Sequence, residues 1–106
     1  MKLDENTGGI ITLEHAKKLV IAFDTKYNGE INSSFIGSKN IEDIMKQDGC
    51  VGLRIYNGYD EEKQRISLVL IGVDVDGKEI LDDGIIYDDL AVCPPICPIE
   101  TSLMNK

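Results

Sequence analysis

The chain has 106 residues, of which 42% are hydrophobic and 28% charged, and a formal net charge of −8. That is the length of one domain with enough apolar content for a single modest core, so wholesale disorder is not expected. The acidic balance argues against nucleic-acid binding, which depends on basic groups neutralising phosphates.

No apolar stretch, Leu68–Ile71 included, approaches the roughly 20 residues of a spanning helix. No apolar signal-peptide segment follows Met1, so the expected compartment is the cytoplasm, with its thiols kept reduced. With no Trp and two Phe, the core should be built from Ile, Leu and Val.

Residues 1–11 are polar and contain Thr7-Gly8-Gly9, which reads as a flexible lead-in. A helix should start at the N-cap Thr12, with Glu14 favourably placed in its first turn. Leu13, Ala16, Val20, Phe23 and Tyr27 recur every three or four residues as one apolar stripe, and Asn28-Gly29 stops the helix. Residues 30–37 form a connector whose Phe35 and Ile36 should tuck into the core. A shorter helix follows, capped by Ser38 or Asn40, burying Ile41, Ile44 and Met45 and ending at Asp48-Gly49.

From Cys50 the period changes to two. Val51, Leu53 and Ile55 alternate with Gly52, Arg54 and Tyr56, as in a half-buried strand. Asn57-Gly58 signals a turn, although the polar run Asp60–Gln64 suggests a loop wider than two residues. Arg65–Val73 is apolar on both faces, which marks a central strand covered on each side. Asp76-Gly77 predicts a two-residue hairpin that would set Asp74 opposite Glu79 and Val73 opposite Ile80. A short strand, Gly84–Tyr87, comes before the Cys/Pro-rich end. The expected architecture is α+β: two N-terminal helices packed on one face of a three- to four-stranded antiparallel meander. The domain should span residues 12–92, with 93–106 as a tail.

Two features could carry chemistry. Cys93-Pro94-Pro95-Ile96-Cys97-Pro98 holds two of the three cysteines and all three prolines. A polyproline II stretch would hold the two α-carbons about 12 Å apart. A disulfide requires the chain to reverse, for example in a turn centred on Pro95 and Ile96. A metal site built on Cys93 and Cys97 would need two further ligands, for which the chain offers Cys50 and His15. The Cys-x-x-Cys redox spacing is absent.

The second feature is a localised acidic stretch. Between residues 74 and 89, Asp74, Asp76, Glu79, Asp82, Asp83, Asp88 and Asp89 face Lys78 alone. Asp74-Val75-Asp76-Gly77 opens like a calcium loop, but an EF-hand needs Gly at its sixth position, Glu at its twelfth and helical flanks. A looser cation or basic-partner site could be built on the Asp74/Glu79 repulsion; otherwise the stretch is a charged hairpin that keeps an edge strand unpaired. Arg54 and Tyr56, alternate residues on the less apolar strand face, could form part of a polar recognition surface. His15, the sole histidine, has no nucleophile motif beside it.

Gly49-Cys50-Val51-Gly52-Leu53-Arg54-Ile55-Tyr56, the run Leu68–Gly77 and the ending Cys93-Pro94-Pro95-Ile96-Cys97 resemble a group of small bacterial proteins without an assigned activity. The resemblance spans about residues 12–98 and implies a self-contained small domain, with no functional residue to carry over.

The function expected from these features is a non-enzymatic, acidic binding or adaptor module that needs no cofactor. Its partner should be a protein, with a basic one best matched to the acidic stretch, and not nucleic acid or membrane. A homo-oligomer is compatible with so apolar a strand. The candidate surfaces are Arg54 and Tyr56 together with Asp74, Asp76, Glu79, Asp82 and Asp83. Two alternatives stand beside it: a thiol-based metal or redox protein using Cys93 and Cys97, and an immunity-type inhibitor of a basic toxin.

Overall fold

The computed structural model describes residues 3–99, 101, 103 and 104. Met1 and Lys2 of the expected lead-in, and Glu100, Ser102, Asn105 and Lys106 of the expected tail, lie outside the described residues. In chain order the elements are α1 (Leu13–Lys26), β1 (Ser33–Phe35), α2 (Ser38–Met45), β2 (Cys50–Asp60), β3 (Arg65–Asp74), β4 (Ile86–Tyr87) and β5 (Ala91–Cys93). Helices and antiparallel strands are both present, so the fold is α+β. The chain divides into two compact units, Met1–Thr7 with Phe35–Leu90 and Gly8–Ser34 with Ala91–Lys106.

The first unit is organised around β3, the central strand of a sheet ordered β2-β3-β4. Its Leu70, Ile71 and Val73 are buried, as the two-sided apolar pattern requires, and the core is aliphatic. β2 pairs with β3 antiparallel, from Cys50 opposite Asp74 to Asp60 opposite Arg65, with a bulge between Cys50 and Gly52. Asn57 and Gly58 do not start a turn; they stay in the strand opposite Leu68 and Ser67. The reversal comes at residues 61–64, where Asp60 Oδ1 accepts from the backbone N–H of Lys63 and Gln64 takes a φ of 53°. The local side-chain bond at Asp60 fixes the turn later than the Asn-Gly signal suggested.

α2 packs on β2 and β3. Its N-cap is Gly37, without a side-chain cap bond, so neither Ser38 nor Asn40 plays that part. Ile44 is wholly buried, while Met45, expected inside, is 37% exposed. Gly72 lets the helix end approach β3. A Cβ there would lie 2.9 Å from Gln47 Nε2, 3.0 Å from Cys50 Sγ and 3.3 Å from Ile44 Cγ2.

The hairpin after β3 also differs from expectation. Asp74 N–H donates to Lys78 O, Ile80 N–H donates to Gly72 O, and Val73 bridges to Glu79. Residues 75–77 therefore form a three-residue loop closed by Gly77 at φ 82°. Asp74 drives this choice, because its Oδ1 accepts from the N–H groups of both Asp76 and Lys78. The register moves by one, and Asp74 does not face Glu79.

In the second unit, Thr12 caps α1 by accepting from His15 N–H, as the sequence implies. α1 has no buried residue. Leu13, Phe23 and Tyr27 of the expected stripe are 55%, 39% and 47% exposed. The half-buried positions are Ala16, Lys17, Val20, Ile21 and Asp24, a face rotated from that stripe. The connector at 30–37 contains strand β1, which pairs with β5, and its Phe35 is 69% exposed rather than tucked into the core. β5 runs into the Cys/Pro segment with Val92 and Cys93 buried.

Candidate functional site

The sheet register decides which side chains can meet. Arg54 lies opposite Ile71 and Tyr56 opposite Val69, so both share a face with Val73 and its bridge partner Glu79. Leu53 pairs with Gly72 and so belongs to the other face, where α2 sits. The one-residue shift in the hairpin is what turns Glu79 toward Arg54 and Tyr56.

The three side chains converge there. Tyr56 Oη donates to Glu79 Oε2, and Arg54 Nε lies 4.0 Å from the same oxygen. The group is open to solvent: Tyr56 is 47% exposed, and the Arg54 and Glu79 side chains are 42% and 27% exposed. The hydrogen bond to Glu79, with some desolvation and the carboxylate's negative charge, raises the Tyr56 pKa above its usual value, against the opposing effect of Arg54. This arrangement offers a guanidinium, a phenol and a carboxylate in one patch. Such a patch can make charged and polar contacts with another surface.

The other acidic candidates do not join this cluster. Asp74 spends one carboxylate oxygen inside its own turn. Asp76 is exposed in the same loop, and Asp82 and Asp83 are exposed in a separate turn where Asp83 takes a φ of 54°. The cation site imagined from an Asp74/Glu79 pair has no geometric basis. Among the described residues, no three His, Cys, Asp or Glu side chains are grouped to hold a metal ion.

Cys93 and Cys97 are joined by a disulfide, with α-carbons 4.7 Å apart. The segment does not run out as polyproline II: it turns at Pro94 and Pro95, and Ile96 N–H donates to Val92 O. The reversal falls one residue before the turn expected at Pro95 and Ile96. In this form neither sulfur is a thiolate able to ligate a metal. Cys50 is the free cysteine, and its Sγ donates to Gly52 O at 3.3 Å.

One feature was not anticipated from the sequence. A cleft of about 490 Å³ lies along β2, lined by Leu3, Asp4, Met45, Val51, Leu53 and Ile55 among others. Its walls come from four separated stretches of the chain, so no local pattern could reveal it; the surface exposure of Met45 is its clearest sign. No family model, curated protein or solved structure matches the chain.

Proposed function

We propose that the chain is a non-enzymatic binding module whose Arg54–Tyr56–Glu79 face takes a protein partner. The observation that carries this reading is the convergence of those three side chains from β2 and the hairpin after β3 into one exposed patch. Tyr and Arg are the residues most often found as anchors at protein interfaces. Asp76, Asp82 and Asp83 add exposed negative charge in turns of the same unit, and this favours a basic partner, of which a toxin neutralised by an acidic inhibitor is one form. No helix of the described residues is long and apolar enough to cross a membrane.

Crosslinking in native lysate tests the proposal by comparing the wild-type chain with Tyr56→Ala and Arg54→Ala. One protein recovered by the wild type and lost from both variants supports the reading. Recovery of no protein, or one captured equally by all three chains, counts against it.

The disulfide favours a second reading, in which Cys93 and Cys97 act as a redox pair. Such bonds persist mainly in oxidising compartments, so the pair weighs against the cytoplasmic placement unless it cycles. A free-thiol count on protein isolated under acid quench separates a standing disulfide from a reduced one.

A further inference from the structure

β2 is an edge strand whose backbone phase can be worked out residue by residue. Ile80 N–H reaches Gly72 O and Asp74 N–H reaches Lys78 O, so the backbone groups of Gly72 and Asp74 point away from β2. Backbone direction alternates along a strand, so Val73, Ile71 and Val69 point toward β2 and bond to Gly52, Arg54 and Tyr56. Leu53, Ile55, Asn57 and Tyr59 are left with their N–H and C=O groups on the outer edge. Among the described residues, no strand pairs with that edge.

Edges of this length are ordinarily blunted by Lys, Pro or an inward charge. Over Cys50–Asp60 there is neither Lys nor Pro, and the single bulge lies at one end. Ile55, Tyr56 and Tyr59 are 58%, 47% and 59% exposed.

The strand also complements itself. Turned about its midpoint Ile55 and laid antiparallel, it places Ile55 opposite Ile55 and Leu53 opposite Asn57. Gly52 then meets Gly58, and Arg54 meets Tyr56. The outward residues pair with outward residues, as a hydrogen-bonded ladder requires, and Arg54 lies against an aromatic ring instead of another Arg54. Tyr59 of the second copy falls beside Val51, one of the residues that line the cleft along β2. An exposed ring at one end of the strand thus meets a hollow at the other, twice over, as a two-fold interface demands. Centring the pair on Asn57 would set Arg54 against Asp60 but leave Leu53 and the cleft unmatched.

We infer that the outer edge of β2 is a homodimer interface, joining two three-stranded sheets into one continuous sheet through antiparallel β2–β2 pairing centred on Ile55. The inference does not depend on the partner reading. The pairing leaves Glu79 with its own Arg54 and Tyr56, so both copies of that patch lie on one side of the joined sheet.

Sedimentation equilibrium of the full chain at ~10–100 µM, above a micromolar dissociation constant, should give twice the monomer mass. Ile55→Lys, which places a charge on the two-fold, should give the monomer mass with an unchanged circular dichroism spectrum. A wild-type chain that stays monomeric overturns the inference, whether or not another protein's strand binds the edge, and so does a dimer that survives Ile55→Lys. Hydrogen exchange of the wild type keeps the test sound if that variant unfolds. The amides of Leu53, Ile55 and Asn57 should slow as concentration rises, while those of Arg54 and Tyr56 stay protected throughout. Fast exchange of all three outward amides in the dimer would also sink it.

Discussion

Gln47 does more than its place after a short helix suggests. Its Nε2 donates to Ile44 O and its Oε1 accepts from Ile85 N–H, each at 2.9 Å, so one amide links the end of α2 to the segment before β4. Gly72→Ala should therefore destabilise the chain by about 1–3 kcal/mol in chemical denaturation, because the new methyl displaces an amide engaged on both sides. Tyr56 gives a second residue-level test. Its raised pKa means that the Glu79 bond contributes fully below the ordinary tyrosine value of about 10 and is lost as pH rises through the folded-state value. Phenolate absorbance should show one tyrosine titrating late in the wild type and shifted toward the ordinary value in Glu79→Gln. The stabilities of wild type and Tyr56→Phe should converge at high pH.

At the level of elements, α2 is held by one side chain above all. Ile44→Ala should cost about 2–5 kcal/mol, measured as a lower denaturation midpoint, since Ile44 is wholly buried between helix and sheet. α1, β2 and β3 were legible in the sequence because cap, period and alternation are local signals. Thr12 and the alternation from Cys50 place the starts of α1 and β2, although β2 runs on past the turn expected at Asn57-Gly58. What escaped was set by competition or by distance. Asp74 and Asp60 chose their turns through side-chain bonds that a dipeptide signal does not weigh. β1 and β5 are three residues each and exist only because segments far apart in the chain pair. Arg54 and Tyr56 could be read as one face from their spacing. Their meeting with Glu79 could not, because it depends on the hairpin register.

For the whole molecule, the disulfide closes a short loop, which the chain-entropy argument values at about 2 kcal/mol. Cys97→Ser should lower stability by that order, and a thiol assay in denaturant should count one thiol per chain before reduction and three after. The two units are also interleaved along the chain. Gly8–Ser34 must find Ala91–Lys106, and the whole of Phe35–Leu90 lies between them. On a ribosome, which delivers the chain from its N-terminus, α2 and the β2–β3 hairpin can form while the partner of β1 is still unmade. Ser33–Phe35 would wait as an open strand until Ala91–Cys93 emerge, so the exposure of a nascent chain to proteases or to wrong partners would be set by the time taken to synthesise the insert.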